Sequence, residues 1–470
     1  MKAIGLDIGT TTICGVVLDG KTGEVLFSRT LQNDSSRQEG KAAFEKRQDP
    51  ARIMERIYEL LEEMQKEHPQ ADSIGLTGQM HGIVYTDSQG NAVSDLYTWQ
   101  DESGNEPYPD GKKQGETYAS YLSELTGCFM ASGFGLTTCF YQNKNDLIPE
   151  NAAKLCTIFD YVGMKLTGRK TPLLNPSSAA SLGLFDSDRS CFRTELAEQA
   201  GIPGNLLPEV EAGPVLLGKM TGKYYTGVPV STGLGDNQAS VIGSVKEIYD
   251  TVLVNVGTGS QVSVGTKEYI SDPAVELRPL TGEGYIFAGS CLCGGRAYAV
   301  LENFFRQVCQ MAGVDLPESG GKLYGKMAEC LDKAAGPELI VDTRLCGTRE
   351  DPSVRGSILS IDENNFTPQA FISGFLYGIA GELYDLYQKI LPQLSHKPSL
   401  LVGSGNGVRM NPALQKILEE LFGCPLLIPV HTEEAAYGTA LFSMTAAGYY
   451  KTLREAQEII CYQDEDAKRK

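Results

Sequence analysis

Two segments more than half the chain apart repeat one pattern: LDIGTTT at 6–12 and VNVGTGS at 254–260 align Asp7 with Asn255, Gly9 with Gly257 and Thr10 with Thr258 at a constant offset of 248 residues. An apolar strand running into a Gly-Thr turn is a supersecondary unit, and its recurrence at this distance predicts two similar lobes. A chain of 470 residues is too long for one ordinary core and suits two large domains. We place the boundary between 243 and 250, with an N-terminal lobe over 1–243, a C-terminal lobe over 244–470, and the site in the cleft between them.

Each lobe reads as α/β. KAIGLDI (2–8) is a short apolar strand, and ICGVVLD and EVLFSRT flank a Gly-containing turn from Asp19 to Gly23, which predicts a hairpin. Asp49 and Pro50 open a helix whose Ile53, Ile57, Leu60, Leu61 and Met64 recur at helical spacing. SIGLTGQ follows as a strand and ends in Gln79, Met80, His81 and Gly82. Sites in such sheets lie beyond the carboxyl ends of the strands. A third Gly-rich junction, SLLVGSGNG, feeds a helix with Asn411 as N-cap, Pro412 as first residue, Leu414, Ile417, Leu418, Leu421 and Phe422 on one face, and Gly423 as its stop.

The net charge of −18 repels nucleic acid and anionic membrane surfaces, which leaves small molecules as the expected partners. No run of 18 apolar residues occurs, and the start lacks a charged region followed by an apolar one, so the expected location is the cytoplasm. Neither nucleic acid nor membrane is an expected partner, and a homodimer stays open. Twelve cysteines without a C-x-x-C read as buried, reduced thiols. Four histidines without an H-E-x-x-H argue against a caged zinc. The tail DEDAKRK (464–470) reads as a frayed, solvated end.

The turn DIGTTT offers backbone N–H groups and three hydroxyls to phosphate oxygens, with Asp7 placed to hold Mg²⁺ directly or through water. VGTGS makes a second cradle and GSGNG a third junction, so a nucleotide held between the lobes is expected, in neither a Rossmann nor a P-loop site. In STGLGDNQASVIG (231–243) the lone carboxylate of Asp236 stands among Gly233, Gly235, Ala239 and Ser240. Walls this small let another molecule approach it, and the local alternative is an Asp that caps the next helix. His81 reads as a strand-end histidine or a ligand contact, and Trp99, the only tryptophan, as core or pocket edge.

DIGTTT, TGQMHG, TWQD, GLGDNQAS, NVGTGS and GSG…N…L, in this order, resemble the FGGY carbohydrate kinases of the sugar kinase/Hsp70/actin superfamily, and the likeness spans nearly the whole chain. The resemblance implies an α/β fold of two actin-like (ribonuclease H-like) ATPase lobes around a cleft, with ATP and Mg²⁺ as cofactors. It implies that Asp236 is the general base for a sugar hydroxyl, and that Asp7 and Asp236 serve the metal. Thr10, Thr11 and Thr12 would face the phosphates from the first lobe, Gly257 and Thr258 from the second, and Gly403, Ser404, Gly405, Asn406 and Asn411 would line the adenosine side. Gln79, His81, Gln100, Asp101 and Asn237 would meet sugar hydroxyls, with Met80 and Trp99 as apolar walls, and Asn175 with its NPSSAAS loop resembles a sugar-side segment. SGFGLTTCFY and DYVGMKLTG resemble members that phosphorylate the terminal hydroxyl of sedoheptulose, those acting on xylulose or another pentulose being nearest, and a non-sugar actin- or Hsp70-like ATPase is the remaining alternative. Two departures stand out: TWQD runs into ESGN where the family often carries Arg, and TCFYQNKND lacks the usual Lys and Trp.

Overall fold

Lys2–Ile8 (β1) has Ala3, Ile4, Leu6 and Ile8 all fully buried, so it is covered on both faces and sits centrally. In the computed structural model, which describes residues 1–37, 42–109, 111, 115–270, 275–282, 284–314, 323–331, 338–348, 351 and 353–463, β1 turns into Thr12–Asp19 (β2) and Val25–Gln32 (β3). Gly23, at φ +76°, closes that hairpin in the left-handed region. The tail 464–470 lies outside the described residues. Pro50–Glu67 (α1) starts as predicted: the Asp49 carboxylate accepts from the Ala51 amide, and Ile53, Ile57, Leu60, Leu61 and Met64 are all buried. Ser73–Gly78 (β4), Leu216–Lys219 (β5) and Pro229–Gly235 (β6) complete the first sheet, in the order β5-β6-β4-β1-β2-β3, and Asp236–Ser244 (α2) leaves β6 directly.

The second lobe repeats the plan. Its strands are Thr251–Val256 (β7), Ser260–Thr266 (β8), Glu276–Gly282 (β9) and Gly284–Cys291 (β10), followed by helices Gly294–Met311 (α3) and Pro368–Ile390 (α4). Leu400–Ser404 (β11), Pro412–Phe422 (α5), Leu426–Leu427 (β12) and Glu434–Ala446 (α6) follow. The sheet order is β9-β10-β8-β7-β11-β12. β7 pairs antiparallel with β8 and parallel with β11, as β1 pairs with β2 and β4. The sequence repeat is therefore the central strand of each sheet: Asp7 stands opposite Cys14, and Asn255 opposite Gln261, each one residue before its strand ends.

Each lobe has its own core, and a third cluster joins them, with Leu234, Ala239 and Ile242 packed among Leu253, Val402, Tyr437 and Phe442. The helix α6 makes this junction. Late in sequence and buried on nearly every side, it lies on the sheet of the first lobe, where a Cβ on Gly5 would fall 1.8 Å from the Ala436 carbonyl oxygen and one on Gly75 2.0 Å from that of Thr439. Among the described residues no helix is long and apolar enough to cross a membrane.

Candidate active site

Sheet register assembles the site. Ile8, Gly78 and Gly235 stand side by side at the carboxyl ends of β1, β4 and β6, so the turns Gly9–Thr12 and Gln79–Gly82 and the start of α2 emerge together. On the other lobe Asn255 and Ser404 are paired neighbours, and the chain leaves β7 and β11 side by side. Five strand ends that are distant in sequence thus open on one cleft, as parallel strands dictate.

Asp236 is the first residue of α2 rather than its cap: Gly235 holds that position, and no side chain caps the helix. Solvent reaches the Asp236 carboxylate, yet protein from both lobes surrounds it. That loss of hydration raises its pKa, while the Asn237 amide, donating to Oδ1 at 2.7 Å, and the Arg278 guanidinium pull it down. A Cβ on Gly235 would lie 2.6 Å from Gln238 Oε1 and 2.7 Å from the Met80 sulfur, so Met80 packs closely against the backbone next to the acid. Asp7, half-exposed at the same end of the sheet, has its carboxyl pushed up to about 7 by burial and then by the charges of Asp236 and Glu433. Among the described residues no three metal-ligating side chains close a cage. An open set of hard carboxylates suits Mg²⁺, which keeps waters and phosphate oxygens in its shell. Glu433, immediately before α6, was not legible in the sequence.

A closed ring of hydrogen bonds stands beside the acid. Trp99 Nε1 donates to Thr10 Oγ1 (2.9 Å), Thr10 Oγ1 donates to Gln79 Oε1 (3.1 Å), Gln79 Nε2 donates to Gln48 Oε1 (2.8 Å), and Gln48 Nε2 donates to the Thr10 carbonyl (2.7 Å). Trp99 is 46% exposed and forms an edge, not core. Gln79, 3% exposed, supports that edge from behind, and the Thr10 hydroxyl is engaged with Trp99 and Gln79 instead of standing open to phosphate. Thr11 is exposed in the turn, whereas Thr12 already belongs to β2, opposite Gln32. His81 adopts φ +72°, which for a residue with a side chain stores strain of about 1 kcal/mol or more. Its Nδ1 donates to the Ser181 carbonyl (2.7 Å), its amide donates to the Ser181 hydroxyl (3.1 Å), and its ring stacks on Phe134 at 4.9 Å.

Three residues predicted for the sugar do other work here. Asp101 is 1% exposed and accepts from the Lys46 amide (3.3 Å), the Ser103 amide (3.1 Å) and the Ser103 hydroxyl, so it ties its own loop to the segment at Lys46, while Gln100 beside it is exposed. Asn237 crosses to the second lobe, where Nδ2 donates to Gln261 Oε1 (2.9 Å) and Oδ1 accepts from Arg278 (3.4 Å). Asn175 is fully buried and donates to the carbonyls of Gly213 and Thr281, both at 3.2 Å, another tie between the lobes. Short polar side chains look the same in sequence whether they bind a ligand or the next lobe.

On the second lobe a cavity of about 830 Å³ is lined by Gly257, Thr258, Arg296, Tyr298, Asn406 and Asn411, among others. Tyr298 stacks on Tyr324 at 5.5 Å to make an aromatic wall, and Asn411 accepts from the Leu414 amide (3.1 Å) as the cap of α5. The rest of the GSGNG junction stays behind this wall. Gly403 and Ser404 lie in β11, Ser404 accepts from Asn255 Nδ2 (2.8 Å), and Gly405 turns the chain at φ +77°, where a Cβ would lie 2.6 Å from the Val256 carbonyl oxygen. Arg296 and Tyr298, from α3, escaped sequence reading because nothing local marks them. A larger cavity of about 900 Å³ lies between β10 and α4 and contains none of the predicted site residues.

Two lobes of one strand topology, facing each other across a cleft with a Gly-Thr turn on either side, form a two-domain actin-like α/β fold. The chain belongs to the FGGY family of carbohydrate kinases, whose N-terminal domain matches residues 2–243 and whose C-terminal domain matches residues 252–447. It is accordingly a phosphotransferase with a sugar alcohol group as acceptor. It is 27% identical to the sedoheptulokinase of Mus musculus over 93% of this chain and 96% of that protein. It is 25% identical to the xylulose kinase of Staphylococcus xylosus over 97% and 93%. The solved xylulose kinase of Rhodospirillum rubrum superposes with a TM-score of 0.82 at 19% identity, covering 98% of this chain and 93% of that one.

Proposed function

We propose that the protein transfers the γ-phosphoryl group of ATP to the terminal primary hydroxyl of sedoheptulose, giving the 7-phosphate. The observation that carries this reading is Asp236: an accessible carboxylate, raised in pKa, that leaves β6 beside the strand ends from which Thr10 and Gln79 emerge. In this reading the sugar lies against Trp99, Met80 and His81, and the adenosine lies in the cavity between Tyr298, Asn406 and Asn411. Asp236 accepts the proton of the attacking hydroxyl as the phosphoryl group moves in line, and a base with a raised pKa is suited to that task near neutral pH. The turns at Thr11 and at Thr258 offer amides to the triphosphate, the Gly257 amide being engaged with the Gly259 carbonyl (2.9 Å). Mg²⁺ neutralises developing charge when bound, and Asp7, with Asp236 and Glu433 beside it, would hold it.

Seven-carbon specificity rests on the likeness to sedoheptulokinase across nearly the full length of both chains. The xylulose kinase of Staphylococcus xylosus, 25% identical, supports pentulose phosphorylation as the second reading. Measuring kcat/KM with ATP and Mg²⁺ for ketoses of five, six and seven carbons decides between them. Sedoheptulose is expected to lead, and a pentulose in first place would overturn the choice of sugar while leaving the kinase reading intact.

A further inference from the structure

All twelve cysteines are free, and six of them are buried as expected, but Cys191, Cys330, Cys346 and Cys461 are exposed. Cys346 is set apart by its surroundings. Its Sγ lies 3.7 Å from Cys293 Sγ and 3.6 Å from a guanidinium nitrogen of Arg296. Two sulfurs in van der Waals contact need to close by less than about 2 Å to reach S–S bonding distance. The guanidinium favours the thiolate and holds Cys346 below the ordinary thiol range, whereas burial pushes Cys293 up to about 11. One sulfur is thus an accessible nucleophile and the other a shielded thiol waiting behind it.

The pair adjoins the cavity through Arg296, which lines it. Cys293 directly precedes α3, and the next turn of that helix grips the Gly-Thr turn: the Gly295 amide donates to the Gly257 carbonyl (2.9 Å) and the Arg296 amide to the Thr258 carbonyl (3.0 Å). Arg296 lines the cavity and touches Cys346 at once.

We propose that Cys346 and Cys293 form a reversible intramolecular disulfide, with a low-molecular-weight disulfide as oxidant, and that Arg296 couples this reaction to occupancy of the cavity by a nucleotide. The Cys346 thiolate attacks one sulfur of glutathione disulfide, breaking its S–S bond and releasing one glutathione as the thiolate, which takes up a proton. Cys293 then gives up its proton and attacks the Cys346 sulfur, breaking the mixed disulfide and releasing the second glutathione as thiol. Two protein thiols are oxidised and one disulfide is reduced to two thiols. A triphosphate in the cavity competes for Arg296 and adds negative charge, both of which disfavour the thiolate. Linkage makes the effect mutual. The coupling rests on the nucleotide reading above, and the disulfide itself does not.

The test incubates the full chain with glutathione disulfide, blocks remaining thiols with N-ethylmaleimide and maps the peptides by mass. The expected product is a Cys293–Cys346 cross-link in the wild type, a persistent glutathione adduct on Cys346 in Cys293→Ser, and neither in Cys346→Ser. Under limiting iodoacetamide, Cys346 is expected to react roughly tenfold faster than Cys191, Cys330 and Cys461, and ATP is expected to slow it at least about threefold. Folded protein that forms no cross-link, or a Cys346 no faster than the other three, overturns the site. ATP binding is measured by calorimetry on Cys346→Ser in parallel: binding without protection of wild-type Cys346 overturns the coupling, whereas absence of binding overturns the nucleotide reading and, with it, the coupling.

Discussion

Gly243 of α2 and Gly438 of α6 meet where the two helices cross. A Cβ on Gly243 would fall 2.0 Å from the Glu434 carbonyl oxygen, and one on Gly438 would fall 1.9 Å from that of Ala239. Helix backbones in contact at this point tie the helix that begins with Asp236 to the one that begins beside Glu433. Asp236 and Glu433 are held by one junction.

Gly438→Ala therefore forces the crossing apart. Backbone cannot yield as a flexible side chain can, so the expected loss of stability is about 3 kcal/mol. Thermal unfolding should shift down by several degrees, and an unchanged midpoint would mean that the helices separate freely.

Asp236→Asn keeps the shape of the side chain and removes the base. kcat is expected to fall at least about 10²-fold while ketose affinity, read by calorimetry, changes little. A kcat within tenfold of wild type would remove Asp236 from the chemistry.

Arg278 acts through others: it bonds Asn237 and places a positive charge near Asp236 from the second lobe. Arg278→Met is expected to lower kcat about tenfold with KM for ATP nearly constant, and Arg278→Lys to recover part of the loss. Equal losses in both variants would point to the guanidinium fork rather than the charge.

Trp99→Phe deletes the donor to Thr10 and keeps an apolar ring at the edge. The expected outcome is a several-fold higher KM for the ketose with KM for ATP unmoved. A change confined to ATP would place Trp99 on the wrong side of the acid.

His431 predicts how the junction responds to acid. Its ring stacks on Tyr437 at 3.6 Å and Nε2 donates to the Gly243 carbonyl (2.7 Å). Burial lowers its pKa from the ordinary 6.5 to about 4. Between those values the unfolded chain takes up a proton that the folded chain refuses, so this contribution is complete above about pH 6.5 and is lost as pH falls toward 4. His431→Gln keeps a donor without the titration, and its stability should fall less steeply across that window. Parallel pH profiles would exclude His431 as the cause.

Much of this protein is determined by local sequence. The apolar run KAIGLDI, Asp49-Pro50, the Asn411 cap with Gly423 at the stop, and the Asp7/Asn255 repeat each specify their element through interactions within a few residues, and each stands in the structure as read. The accessible Asp236 was legible for the same reason, since only small residues flank it. Tertiary structure alone decided which polar groups face the cleft. Asp101 is satisfied by Ser103 beside it and by the distant Lys46 amide, Ser404 by its sheet neighbour Asn255, Asn175 and Asn237 reach across to the other lobe, and Arg278, Arg296 and Glu433 come to the site from segments whose local sequence says nothing of it. A side chain's hydrogen-bond capacity is written in its chemistry, but the partner that satisfies it is chosen by chain segments up to hundreds of residues away, and no local pattern encodes that choice.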